Sequence, residues 1–235
     1  MSQTRRVEVS PERLPGWVER FAASHGEVAW SVASGDPDEP LDRHGRPAVW
    51  CGQAADGSWA RLEGWTDAHP GQAADGPLAA GARSWWAAPG PLLLLLVRRG
   101  GYAVAVATAE GELVAHKVGT RRVQGRTAAG GWSQQRFARR RGHQADELVE
   151  AAVGHARRIL GEGEDKAGAP VGAVVLGGDP ALGDQALHLL AVGPQKRLHG
   201  IPRRTLPDLA DPRRAVLDDA VRRALAVRVT VHNAR

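Results

Sequence analysis

Apolar positions along the chain recur at two different spacings, and the changes of spacing mark out its elements. After Ser10-Pro11-Glu12, the residues Leu14, Trp17, Val18 and Phe21 fall at three- and four-residue steps. That spacing predicts a short amphipathic helix with Ser10 as its cap and Pro11 in its first turn, ending near Gly26. Short apolar runs at Val28 to Val32, Ala48 to Cys51 and Ser58 to Leu62 then read as strands. Turn formers separate them, at Asp36-Pro37-Asp38-Glu39-Pro40 and Ala55-Asp56-Gly57. Residues 66–91 are dense in Ala, Gly, Pro and Asp, which reads as a linker, with Trp85-Trp86 able to anchor it.

The pattern is stronger further on. Leu92 to Arg98 is an apolar strand, Tyr102 to Thr108 its hairpin partner across Gly100-Gly101, and Glu112 to Val118 a third strand. Periodicity is lost from Gly119 to Gly131. From about Ala145, Leu148, Val149, Ala152, Val153, Ala156, Ile159 and Leu160 define a helix ending near Gly161. Val171 to Leu176 is a buried strand closed by Gly177-Gly178-Asp179-Pro180, which reads as a strand-to-helix cap. Ala181 to Leu190 follows as a helix, residues 196–206 supply a further strand, and Asp211-Pro212 caps a helix with Val216, Leu217, Ala220, Val221, Ala224 and Leu225 on one face. The expected fold is α+β or α/β, a mixed sheet flanked by helices, preceded by a small Trp-rich α+β module. The module spans residues 1–86, with a linker to about 91, and the second domain spans 92–235.

Composition narrows the setting. No stretch reaches the roughly 20 apolar residues of a membrane helix, the N-terminus lacks an apolar signal core, and the single Cys51 excludes an internal disulfide. A cytoplasmic protein with no membrane partner is expected. Residues 1–86 carry 8 basic and 12 acidic side chains, whereas residues 87–235 carry 23 basic and 14 acidic. The second half is therefore the part suited to a polyanion.

The positive charge is densest where periodicity is lost. Arg121, Arg122, Arg126, Arg136, Arg139, Arg140 and Arg141 lie in a segment with no acidic residue. Within it, Gly130-Gly131 permits close backbone approach to a ligand. The guanidinium groups suit phosphates, and Gln134 and Gln135 bring amides able to orient a water or hydroxyl. A plain basic loop leading into a helix is the alternative on these residues alone.

The run Gly130-Gly131-Trp132-Ser133-Gln134-Gln135-Arg136-Phe137-Ala138-Arg139-Arg140-Arg141, followed by an amphipathic helix, resembles the central domain of eukaryotic and archaeal class I peptide-chain release factors. Gly130, Gly131, Ser133, Arg136, Phe137, Arg139 and Arg141 match that pattern, but Trp132 stands where a release factor has its glutamine. Gly131-Trp132-Ser133-Gln134 instead fits the Gly-x-x-Gln tip of ribosome-quality-control hydrolases, and is most similar to their actinobacterial, VLRF-type members. The resemblance covers about residues 90–235 and implies an RNase H-like mixed sheet. It also implies hydrolysis of the ester between nascent peptide and tRNA in the peptidyl-transferase centre, with the large ribosomal subunit and peptidyl-tRNA as partners. In that reading Gln134 positions the attacking water, Gln135 being the alternative, and Gly131 shapes the tip. Gly130, Trp132, Ser133 and the seven arginines contact RNA. Trp132 either stacks on a base or packs the base of the loop. Residues 1–86 hold no recognisable stop-codon-reading motif, so codon-independent release from stalled or split subunits is expected.

Other chemistries fit less well. The nine histidines are scattered without a metal-ligand pair, so no metal and no cofactor is expected. The strands at 92–97 and 102–108 carry no carboxylate, which argues against a metal-dependent nuclease and a DNA substrate. His143, just past the arginines, reads as a residue at a helix start. Arg203-Arg204, Arg213-Arg214 and Arg222-Arg223 are candidates to extend an RNA footprint. The competing reading is a ribosome- or tRNA-binding module without catalysis; a third is hydrolysis of free peptidyl-tRNA.

Overall fold

A computed structural model describes residues 3–33, 49–65, 76–78, 85–120 and 133–234, with the helical backbone alone at 133–141. The chain divides into two units, residues 1–89 with 225–235, and residues 90–224.

The first unit is built on β1 (Gln3–Val9), α1 (Leu14–His25), β2 (Val28–Ala33), β3 (Val49–Ala54), β4 (Trp59–Glu63) and, from the far end of the chain, β10 (Val227–Asn233). All neighbours pair antiparallel in the order β1-β10-β4-β3-β2. Pro11 opens a short 3-10 turn before α1, and Gly26 ends the helix at φ 86°, a conformation that favours glycine. Leu14 and Val18 join Trp50, Leu62, Trp85, Trp86, Val227 and Val229 in one core cluster, while Phe21 packs with Ala54, Ala60 and Val231. Trp85 and Trp86 meet edge to face at 5.1 Å, and the Trp65 N–H donates to the Trp85 carbonyl at 2.9 Å, so the tryptophan pair is tied into this unit. At the turn between β3 and β4, the Asp56 carboxylate lies 2.8 Å from His25 Nδ1 and accepts from the Ser58 N–H at 2.8 Å. These bonds, the His25 bond first, hold Asp56 below the usual carboxylate range.

The second unit contains β5 (Leu92–Arg98), β6 (Gly101–Ala107), β7 (Leu113–Thr120), α2 (Ser133–Ala167), β8 (Ala173–Gly178), α3 (Pro180–Leu190), β9 (Arg203–Leu206) and α4 (Arg214–Leu225). Its sheet has the order β7-β6-β5-β8-β9, antiparallel through β5 and parallel from β5 to β8 and β9. Counted within the unit this is 3-2-1-4-5 with the second strand reversed, the expected RNase H-like mixed sheet. Both faces of β5 are buried, which explains its unbroken apolar run. Leu93, Leu95 and Val97 share a cluster with Leu148, Val149, Ala152, Val153, Ala156, Ile159 and Leu160 of α2. Leu92, Leu94 and Leu96 are buried as well. On the His116 side of the sheet α4 begins, with Arg214 Nη1 at 3.0 Å from His116 Nε2.

The glycine pair at 177–178 forms the strand-to-helix cap expected of it. Gly178 has φ 88°, and a Cβ there would lie 2.5 Å from the Val97 carbonyl oxygen. The Asp179 carboxylate then accepts from the N–H groups of Ala181 and Leu182.

Four elements depart from the expected pattern: no strand was expected at β1 (Gln3–Val9), and α2, besides its early start, runs past its expected end near Gly161 to Ala167. Helix α2 starts at Ser133, not near Ala145, because residues 133–144 carry almost no apolar stripe although Gln, Arg and Ala favour helix. The strand anticipated within 196–206 is confined to Arg203–Leu206, since Pro194 opens a 3-10 stretch over Gly193–His199. Finally, β10 leaves the domain in which residues 225–235 were placed and pairs between β1 and β4. Its alternating Val227, Val229 and Val231 are buried in the first unit.

Candidate functional site

The element that carries the candidate residues is α2. Its 35 residues make it about 52 Å long at 1.5 Å per residue. The later part is fixed tightly. A Cβ built on Gly163 would lie 2.3 Å from Val106 Cβ, so the helix backbone rests directly on β6. Glu164 accepts from the Val171 N–H at 2.7 Å and from the Arg197 guanidinium, whose other nitrogen donates to the Val171 carbonyl at 3.1 Å. Arg157 donates to the Leu189 carbonyl at 3.1 Å, and Gln185 to Asp146 at 3.2 Å, tying α3 to α2.

Among the described residues, the first fully buried side chain of α2 is Leu148. It stands 15 positions after Ser133, or about 22 Å along the axis. The preceding segment, the arm of α2, is helical in backbone. Ser133, Gln134, Gln135, Arg136, Arg139, Arg140 and Arg141 all lie on it. The loop expected to run through Arg141 is therefore corrected: from Ser133 onward the backbone is helix. Gly130, Gly131, Trp132, Arg121, Arg122 and Arg126 lie outside the described residues. Neighbouring residues of a helix sit about 100° apart around its axis. Gln134 and Gln135 therefore occupy different sides of the arm. Gln134 falls on the line of Ala138, Arg141 and Ala145, the last of which is packed against the core.

Charge separates the arm from the rest of the unit. The three C-terminal arginine pairs are largely engaged within the fold. Arg203 meets Asp184 at 3.0 Å, Arg214 meets Asp218 at 3.0 Å and Arg223 meets Asp208 at 3.1 Å. Arg222 pairs with Asp219, and buried Arg204 donates to the Ala224 carbonyl at 2.6 Å. These contacts brace helices and loops of the unit. Of the 23 basic side chains in residues 87–235, seven lie in 121–141, a stretch with none of the 14 acidic ones. Outside it the balance is 16 against 14, so most of the positive excess belongs to this segment.

None of β5 to β9 carries an Asp or Glu. Among the described residues no group of three His, Cys, Asp or Glu side chains converges on one point. The His188 and His199 rings have centroids 6.1 Å apart. The signal for the arm's true length was present in the helix-favouring composition of 133–144, not in hydrophobic spacing.

No match was found among curated proteins. The sequence model of one family matches residues 90–230, which take in the whole second unit and most of β10. The match covers more than half of the chain, including the arm and the segment before it. The chain belongs to the Actinobacteria/chloroflexi VLRF1 release factor family.

Proposed function

We propose that the protein is a codon-independent peptidyl-tRNA hydrolase that frees nascent chains from stalled or split large ribosomal subunits. The observation that carries this reading is the join at Ser133. A Gly-Gly-Trp-Ser-Gln-Gln sequence runs straight into the end of a long, anchored and cationic helix, within the part of the chain matched by a release factor family.

The chemistry follows from that placement. The first four N–H groups of an α-helix have no partner inside it. In α2 these belong to Ser133, Gln134, Gln135 and Arg136. They lie next to the glycines, where they are suited to steady the oxyanion that develops as water attacks the ester carbon. A glutamine amide has no pKa near neutrality and does not act as a general base. Gln134 instead accepts and donates hydrogen bonds that hold the water in line with the carbonyl, an entropic contribution. The proton lost by the water passes to groups of the tRNA and the ribosomal RNA, and the tRNA 3′ oxygen leaves. The arginines of the arm and of 121–126 neutralise the phosphates along the entry path.

The test is single-turnover peptide release from large subunits bearing peptidyl-tRNA. Gln134→Ala should lower the release rate by about 10²-fold or more while binding persists. Release at the wild-type rate overturns the role of Gln134. If Gln135→Ala alone abolishes release, the role moves one position. Subunit binding by the wild type with no release under any condition supports a non-catalytic module instead. Equal turnover of free peptidyl-tRNA without subunits points to a free-standing hydrolase.

A further inference from the structure

His143 changes meaning once α2 is seen to begin at Ser133. It is not a helix-start residue but lies ten positions into the arm, and its side chain is exposed. Relative to Arg136, the residues Arg139, Arg140 and His143 follow at three, four and seven positions. That spacing keeps all four on one side of a helix. The buried row from Leu148 to Leu160 lies on the other side, continuing the line of Ala138 and Ala145. His143, which is exposed, therefore lies on the side of α2 away from the buried row. Along the axis the cationic row rises about 4.5 Å from Arg136 to Arg139, about 1.5 Å to Arg140 and about 4.5 Å to His143.

The row also has a definite end. Asp146, Glu147 and Glu150 follow His143 at three, four and seven positions on the same side, and all three are exposed. Beyond them Arg158 returns to this side, but it is bonded to Glu162 at 2.9 Å. A phosphate chain lying along the arm meets donors as far as His143 and carboxylates immediately afterward. Like charge repels it there.

We propose that His143 is the last RNA-contacting residue of the arm, donating an imidazole N–H to a phosphate oxygen of the large-subunit RNA, and that the carboxylates after it set the limit of contact. This rests on the reading of the protein as a factor acting on the large subunit. The experiment measures the Kd of labelled protein for purified large subunits bearing peptidyl-tRNA, at fixed salt, for wild type, His143→Gln and Arg158→Gln. Thermal melts of each variant accompany the binding data.

His143→Gln should bind about five- to tenfold more weakly with an unchanged melting temperature, and Arg158→Gln should bind as wild type. Wild-type affinity in His143→Gln overturns the inference. So does an equal loss in Arg158→Gln, which would mean that charge anywhere on α2 serves. If the wild type itself does not bind the subunits, both the inference and the functional reading fall. If His143→Gln loses binding while Gln134→Ala releases peptide normally, the contact stands and the hydrolytic role of Gln134 fails.

Discussion

Replacing Gly163 by alanine tests how α2 is held. In most helices this change is favourable by about 0.5–1 kcal/mol, because glycine loses more backbone freedom on folding. At Gly163 the added carbon would lie 2.3 Å from Val106 Cβ, with both Val106 methyl carbons within 2.9 Å. Ordinary carbon contacts are about 3.5–4.0 Å. Neither side has a flexible end that can give way. Val106 is fully buried on the central hairpin, paired with Leu93 and Ala115. The helix must therefore lift from the sheet by about 1 Å or more, and overpacking of this kind costs about 1–3 kcal/mol. Because the close atoms are Cβ carbons on both sides, the upper part of that range applies, leaving a net loss of about 2 kcal/mol.

Gly154 is the internal control. It lies in the same helix with nothing within 4 Å of an added Cβ, so Gly154→Ala should stabilise by about 0.5–1 kcal/mol. At about 2–4 °C per kcal/mol, the two variants should differ in Tm by roughly 5–10 °C, Gly163→Ala melting below wild type and Gly154→Ala at or above it. Circular dichroism melts and urea midpoints measure this. Equal upward shifts in both variants would refute the close seating of α2 on β6. A lifted helix also moves the arm, so Gly163→Ala should slow peptide release beyond what its loss of folded protein explains.

Three further outcomes are expected. Asp179→Ala removes the carboxylate that caps α3 and should cost about 1 kcal/mol, read as a lower urea midpoint, with Asp179→Asn close to wild type. Glu164→Ala leaves the Val171 N–H and the Arg197 guanidinium without their shared acceptor and should destabilise by about 1–3 kcal/mol; a neutral result would show that the clamp on α2 contributes nothing. Asp56 has a folded-state pKa held below its unfolded value, so its contribution is present above the ordinary carboxylate range and lost as pH falls through the folded-state value. The difference in urea midpoint between wild type and Asp56→Asn should accordingly be largest above the ordinary carboxylate range and shrink as pH falls below it, and a difference constant with pH would contradict the pairing with His25.

Elements whose burial is one-sided or complete were legible from pattern alone. Leu92 to Val97 could only be an interior strand, and the spacing of Leu148 to Leu160 named the face that α2 buries. What escaped was set by contacts distant in sequence or by propensity without burial. Val227, Val229 and Val231 alternate clearly, yet only the pairing of Val227 with Val9 and of Val229 with Leu62 reveals that the last strand belongs beside the first. The arm offered no hydrophobic period because residues 133–144 hold few apolar side chains. The candidate site rests on chemistry: the glycines, glutamines and arginines stand as a cluster in the sequence. Their placement was not legible, since the helical start at Ser133 separates Gln134 from Gln135 around the axis and moves His143 from a helix start to the cationic row. The carboxylates that Arg203 and Arg223 meet lie 19 and 15 residues away in the chain, outside a local reading, whereas the partner of Arg214 is four residues on.

The most direct test of the hydrolytic reading is the rate of peptide release by wild type and Gln134→Ala on the same large subunits bearing peptidyl-tRNA, with binding measured in parallel. The expected result is a loss of about 10²-fold or more in release at unchanged affinity. Equal release rates at equal affinity would contradict it.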